Sequence, residues 1–458
     1  MMTSQAQTSV AKEAKTWPSK QSRQVQESNA GFYLVLASLI FEFGRPQELI
    51  PGIKLIPFAT GLDVLLLLSV VATGKLDLSR LQTKLWIPLF IIMAIHVPTA
   101  TNNYWALMVF KDMLLIFGLY LGIVTYVNSL EKMLRLMKVW LGLHTFLAVI
   151  GIVNKGSGIG GWMGDENDFC MVMNMIVPFA YFFLFSSSGG AARFRYLAQL
   201  GVFILAAMAT LSRGGFMGLA SVGVYGWYRS PKKGNALVVL VIAALFMVLL
   251  APETYWDEIA SSTSEETMGD DGTGGARLYT WGIGVKMFLY NPIIGVGQSN
   301  FQWAFETYEA GATFHERSFA GRMAHSAWVT LISELGLVGV VVIGGMLWQS
   351  YKDLKLVRMK FTPVKSPLKH GQTMQVGEDV RMYLARAMEG SLIGYIVSGV
   401  FISILWYPSM WVMVAFVVAL RNISEVGDAR RLSVFPLTRF QKGVSLPKLG
   451  DGQVRHSA

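Results

Sequence analysis

The sequence predicts an all-α protein: a polytopic bundle of about twelve transmembrane helices, with one long external loop that itself contains helix. Three observations predict it. The 458-residue chain is 53% hydrophobic and only 15% charged, with a mean hydropathy of +0.45, which excludes an ordinary soluble enzyme. Apolar runs long enough to cross about 30 Å of hydrocarbon recur along nearly the whole chain. Lysine and arginine collect in alternate short loops, the pattern that fixes membrane orientation.

Taken in order, spans are expected at 30–44, 56–74, 86–100, 105–127, 133–153, 168–186, 196–211, 214–229, 235–251, 324–349, 387–405 and 408–420. Nothing before the first has the form of a cleavable signal peptide, so it is expected to stay in the membrane. It stops at Gly44-Arg45-Pro46, and the break at Ser212 to Gly215 either separates two spans or kinks one hairpin.

The leading tail, 1–29, carries Lys12, Lys15, Lys20 and Arg23. The next inside loops carry Lys75, Arg80 and Lys84, then Lys132, Arg135 and Lys138, then Arg193 and Arg195, then Arg229, Lys232 and Lys233. The segment 351–386, with Lys352, Lys355, Arg358, Lys360, Lys365, Lys369, Arg381 and Arg386, and the tail 421–458 are basic again. Both ends are therefore expected in the cytoplasm. The net charge of +10 follows from topology and contact with anionic membrane lipid, with no nucleic-acid partner required.

The connection 252–322, between spans 1–9 (30–251) and spans 10–12 (323–420), reverses the pattern. It holds Glu253, Asp257, Glu258, Glu265, Glu266, Asp270, Asp271, Glu306, Glu309 and Glu316, against Arg277, Lys286, Arg317 and Arg322. It is expected to be external. Its first half, "SSTSEETMGDDGTGGA", is polar and glycine-rich, whereas "RLYTWGIGVKMFLYNP" spaces apolar residues as a helix does and stops at Asn291-Pro292. That helix is expected to pack on the outer ends of the bundle.

Cys170 is the single cysteine, so no internal disulfide and no cysteine-based metal site is expected. The six histidines include no HExxH and no pair at helical spacing, and "DEND" (Asp165 to Asp168) only loosely resembles a metal-binding acidic motif. No metal and no cofactor is expected.

Four external features carry possible chemistry. Arg213, in "ATLSRGGFMGLA", either snorkels to the interface or, with Ser212 and the flanking Gly214 and Gly215, grips an anion. Arg277 opens the loop helix after Gly274 and Gly275; a helix start is already positive, so a guanidinium there is misplaced unless an anion joins it. Two such arginines would hold a diphosphate without a metal.

His325, in "MAHSAWVTLISELGLVG" (Met323 to Gly339), opens a span that runs inward from the external surface, where a lone histidine is commonly a solvated surface residue or a packing residue. Glu334, nine residues on, is about 13.5 Å deeper and half a turn out of phase, so it cannot orient His325 on the same face. Gly336 and Gly339 would let this helix pack closely against a neighbour. In "GSGIGGWMGDENDF" (Gly156 to Phe169), Asp165, Asn167 and Asp168 either cap the next helix or touch substrate, and Trp162 suits sugar stacking or interfacial anchoring equally.

These residues resemble the O-antigen ligase and polymerase superfamily of bacterial membrane glycan transferases. The ligase signature is histidine followed by Asn, Ser or Gln, nine residues and GxxG, which His325-Ser326 and Gly336-Leu-Val-Gly339 fit without a gap. Arg213 and Arg277 match the family's two arginines in order and setting, and "NPIIGVGQSNF" (Asn291 to Phe301) is similar to its loop motif. The resemblance covers roughly 160–345.

The resemblance implies inverting transfer of a glycan from undecaprenyl diphosphate to an acceptor hydroxyl at the periplasmic face of the bacterial inner membrane, without metal or nucleotide. His325 would be the catalytic base, with Arg213 and Arg277 on the departing diphosphate and Ser212 and Asp168 as further substrate contacts. The acceptor would be a lipid core, a protein or another glycan. The alternative within the superfamily is a repeat-unit polymerase, which shares the donor. The alternative from another class is a transporter or flippase. Lys111 and Asp112, charged within the fourth span, favour it; the placement of the long loop and the lack of an internal repeat oppose it.

Overall fold

A computed structural model describes residues 29–50, 52–53, 57–74, 76–230, 232–250, 273–309, 319–362 and 379–434. The expectations for the leading tail, the polar stretch 252–272, the middle of the basic segment at 363–378 and the tail beyond 434 lie outside the described residues.

The described residues form helices and no strand. In chain order these are α1 (Ala30–Gly44), α2 (Pro46–Leu49), α3 (Phe58–Thr73), α4 (Leu81–Lys84), α5 (Trp86–Thr99), α6 (Asn103–Tyr126), α7 (Leu130–Val153), α8 (Glu166–Ser186), α9 (Gly190–Ala209), α10 (Arg213–Arg229) and α11 (Lys233–Leu250). There follow α12 (Thr273–Tyr290), α13 (Phe301–Glu309), α14 (Ala327–Lys360), α15 (Val380–Ser398) and α16 (Pro408–Val434). A helix stands at each segment where a span is expected. Six are long and apolar enough to cross a membrane: Leu81–Thr99, Asn103–Tyr126, Leu130–Val153, Glu166–Ser186, Gly190–Ala209 and Ala327–Lys360. α1, α3 and the start of α11 are shorter apolar helices.

Local chemistry sets the boundaries. Side chains cap the starts of α6, α7, α8, α10 and α14: Asn102, Ser129, Asp165, Ser212 and Ser326 each accept a backbone N–H of the first turn. α1 ends where Arg45 turns left-handed at φ 46° and Pro46 opens α2. The "SRGG" break is a true helix boundary, with α9 ending at Ala209 and α10 starting at Arg213.

α8 is the axis of the bundle: every residue from Asp168 to Phe183 is buried, with α9, α10 and α15 packed around it. The stretch Met410 to Leu420 of α16 is buried likewise, against α6, α14 and α15. Cys170 lies in this packing, its thiol directed at the Ala207 carbonyl.

At the end of the bundle opposite His325, buried Glu389 of α15 binds the guanidiniums of Arg229 (3.3 Å) and Arg358 (3.2 Å) and accepts the Tyr225 hydroxyl (2.8 Å). Arg80 pairs with Glu425, which also holds Arg421 at 2.8 Å. The first set ties the ends of α10, α14 and α15 to one another, and the second ties α16 to the chain just before α4. Lys111 and Asp112, the charges within the fourth expected span, pair with each other at 3.3 Å on an exposed face of α6.

The loop helix does not sit on the ends of the bundle. α12 runs beside α14 in the same direction: Trp281 donates to the Ala324 carbonyl (2.9 Å), Gly284 packs on Val329, and the chain beyond Tyr290 meets α14 near Gly336. There α14 is broken, Gly336 standing at φ 58° and ψ −154°. The backbone groups freed by the break are taken by the incoming segment. Leu337 and Val338 donate to the Pro292 and Ile293 carbonyls (2.8 and 3.1 Å), while Val296 and Gly297 donate to the Ser333 and Glu334 carbonyls (2.9 Å each).

The segment then climbs through Gln298, which donates to the Met93 and Ala106 carbonyls and meets His96. Asn300 closes the α5–α6 turn by bonding both the N–H and the C=O of Asn102. The glycine motif expected to serve helix packing is instead the socket of this plug.

Candidate functional site

Four helix starts, those of α8, α10, α12 and α14, lie at one end of the bundle, and His325, Arg213 and Arg277 are on or beside them. Each start presents N–H groups and the positive end of its dipole. Arg213 is the first residue of α10. The preceding Leu211 is left-handed (φ 51°), and Ser212 spends its hydroxyl as the cap of Gly215 N–H (3.0 Å) and on Asn167 Oδ1 (2.6 Å). The close approach allowed by the neighbouring glycines is to protein: Gly214 lies against Phe401 and Gly215 against Cys170.

Arg277 is half-buried in the second turn of α12. Partial burial and then the repulsion of Arg213 hold its guanidinium below the usual arginine value. No carboxylate among the described residues forms an ion pair with it. Two guanidiniums near enough to repel, one in the first turn of α10 and one in the second turn of α12, favour an anion between them.

His325 stands between buried Ala324 and Ser326 and is itself exposed. It takes a left-handed conformation, φ 47°, rare for a residue with a side chain. Its turn is held on both sides. Trp281 of α12 grips the Ala324 carbonyl, and Ala327 N–H donates to the Gly399 carbonyl of the α15–α16 loop (2.7 Å). The imidazole is held below its usual pKa, first by the protein around it and then by Arg277; Arg322 adds to the depression and Asp165 opposes it. Neutral imidazole is thus favoured, the form that can accept a proton.

Asp168 is buried and accepts the Tyr407 hydroxyl at 3.1 Å. Asp165 caps α8 by accepting Asn167 N–H (2.8 Å). Asp165, Asn167 and Ser212 therefore form one polar connection from the start of α8 to the start of α10. Trp162 is neither a free sugar platform nor a lone anchor, because its ring packs between Phe43 and Tyr407 and its N–H donates to Glu42 at 3.1 Å. Glu334, deeper in α14, accepts from Ser299 N, Phe301 N and Trp406 Nε1 at 2.8 to 3.0 Å.

Arg322, Trp281 and Tyr407 are not singled out from sequence. Their contacts with the site are made across long chain separations, as between Tyr407 and Asp168. Arg322 alone gave a signal, lying three residues before His325 in an otherwise acidic loop.

An apolar cavity of about 210 Å³ lies between α8, α9, α10 and α11. Its wall on α10 begins at Phe216, one turn beyond Arg213, and runs to Trp227, with Met208, Phe182 and Leu240 on the other helices. Among the described residues, no group of three or more His, Cys, Asp or Glu side chains could hold a metal ion.

No curated protein matches the chain. The family model for O-antigen ligase matches residues 199–344, the stretch that contains Arg213, Arg277 and His325. This stretch is therefore similar to the O-antigen ligase family.

Proposed function

We propose that this protein transfers a glycan from a polyprenyl diphosphate, of the undecaprenyl kind, to an acceptor hydroxyl as an O-antigen ligase does. The observation that carries the reading is the juxtaposition of Arg213 and Arg277, mutually repelling in the opening turns of α10 and α12, with an imidazole held below its usual pKa. The twelve helical segments serve as spans, with both termini in the cytoplasm and the His325 end in the periplasm. The basic residues Arg80, Arg229 and Arg358 at the opposite end support that orientation.

The chemistry follows from these groups. A ring nitrogen of His325 takes the acceptor O–H proton as that oxygen forms its bond to the anomeric carbon. The bond from that carbon to the phosphate oxygen breaks, and the electron pair leaves with the diphosphate. Arg213 and Arg277 bind the diphosphate and stabilise the charge it gains, a contribution typically worth about 3 to 4 kcal/mol per donor. The polyprenyl tail lies along α10 in the cavity that begins at Phe216. Ser212 and Asp168 act through protein: the former seats the helix start that carries Arg213, and the latter holds Tyr407.

The test is gene deletion with analysis of surface glycans and lipid-linked intermediates. Long chains retained on the lipid carrier and missing from the acceptor are expected. Single units on the acceptor would move the assignment to the polymerase, and unchanged glycans would overturn it.

A further inference from the structure

We propose that α12 is not an extramembrane helix but dips into the bilayer, with Val285, Leu289 and Ile293 immersed in the hydrocarbon of the leaflet on the His325 side. The inference needs a membrane protein but not the proposed transfer reaction.

The argument starts from the residues α12 leaves uncovered. Ile283 and Met287 are buried against α13 and α14. On the opposite side Leu278 is 62% exposed, Leu289 68% and Ile293 66%, with Val285 between them. At 100° per residue, 278, 282, 285 and 289 fall on one face, and Gly282 meets nothing there. In water this stripe would be a standing cost.

Register supplies the occupant. Ile293 is bonded to Val338 and Pro292 to Leu337, about 18 Å along α14 from His325 at 1.5 Å per residue. α14 is itself a candidate membrane span. The stripe is continuous with its exposed apolar side, where Leu337 is 55% and Val341 61% exposed. One surface thus runs from Val285 through Leu289 and Ile293 to Leu337 and Val341, and a single solvent covers it. For α14 that solvent is hydrocarbon.

Every backbone group a re-entrant segment would otherwise leave bare at that depth has to be met by protein. The exchange at Gly336 meets the Pro292 and Ile293 carbonyls and the Val296 and Gly297 N–H groups, and the Gln298 and Asn300 side chains bond the chain beyond them. Lys286, at the edge of the stripe, has a stem long enough to turn its ammonium toward the surface. Leu278 and Arg277 lie about 16 Å nearer that surface than Leu289, at headgroup height, where a lipid-borne phosphate is presented.

Cys170 is buried and is the single native cysteine, so introduced cysteines report alone. Leu278→Cys, Val285→Cys, Leu289→Cys, Ile293→Cys and, as a lipid-facing reference, Leu337→Cys are each nitroxide-labelled in the full chain. The proteins are placed in phosphatidylcholine vesicles, and relaxation by oxygen is compared with relaxation by a water-soluble nickel chelate. The ratio of oxygen to chelate collisions should rise from 278 through 285 to 289 and 293, reaching the Leu337→Cys value. Free access of chelate to 289 and 293 would overturn the proposal. Protection from both relaxers would overturn it too, because it would mean a covering protein surface such as a second copy. Four independent positions on α12 and its end keep the result readable if one variant fails to fold.

Discussion

Gly295 and Gly336 meet backbone to backbone across the break in α14: a methyl on Gly336 would lie 2.6 Å from the Ile293 carbonyl and 2.8 Å from Gly295 N, and one on Gly295 would lie 2.5 Å from the Glu334 carbonyl. Both also hold positive φ, 74° and 58°. Gly336→Ala and Gly295→Ala should each destabilise the protein by about 3 kcal/mol or more, combining backbone strain with collision. Gly344→Ala, where a methyl meets nothing, should be neutral. Thermal unfolding in detergent decides it, and a Gly336→Ala protein as stable as Gly344→Ala would refute the socket.

Glu334 fixes the same plug by its side chain, accepting Ser299 N, Phe301 N and Trp406 Nε1. Glu334→Gln replaces one accepting oxygen with a donor and leaves buried N–H groups facing it, so a loss of about 2 kcal/mol is expected. Trp406→Phe removes one donor and should cost less. Equal stability of Glu334→Gln and the native protein would show that the carboxylate is not needed there.

The pH dependence of transfer tests the environment of His325. Partial burial and then cationic neighbours disfavour the imidazolium, so its pKa is lowered and the base form persists to lower pH than for a free histidine. Activity should fall on acidification with a midpoint below about 6.5. Arg322→Gln removes a positive neighbour and should raise the midpoint. Asp165→Asn removes the opposing carboxylate while keeping a good helix cap and should lower it. Shifts in the reverse sense would reject His325 as the group that titrates.

The histidine and the arginines should separate in single-turnover assays. His325→Ala should cut transfer by about 10² to 10⁴ while donor binding barely moves. Arg277→Lys keeps the charge but loses the planar fork and should weaken donor binding, with Arg213→Ala behaving similarly. Native transfer should survive EDTA. Normal transfer by His325→Ala would remove the proposed base, and loss in EDTA with recovery on adding magnesium would move attention to the loop acids.

What was legible in the sequence was whatever local chemistry dictates. Apolar runs mark where helices stand, and Asp165 announces a helix start by residue type and position, whereas Ser212, read as an anion contact, caps α10. The path of Pro292 to Asn300 was not legible, because the bonds that define it join backbone groups far apart in sequence, as Pro292 O does with Leu337 N. Periodicity carries no trace of such pairings. Gly336 misled for the same reason: its spacing to Gly339 suits a helix-packing face, and only the positive φ reveals a break. The polar link from Asp165 through Asn167 to Ser212 joins residues 45 apart at its last step, although each end had been noticed separately. Tyr407 lay just past the expected end of a span, where nothing singled it out.

The broken helix also constrains how the protein is made. Pro292 to Asn300 leave the ribosome before α14 does, yet the Pro292 and Ile293 carbonyls and the Val296 and Gly297 N–H groups take their partners from α14. Neither can rest alone in hydrocarbon without exposed amides. The hairpin must therefore wait at the translocation channel or the membrane surface until the following helix arrives, and the two must enter together. Biogenesis of this domain then has a pairing step, which the added methyl of Gly336→Ala would weaken.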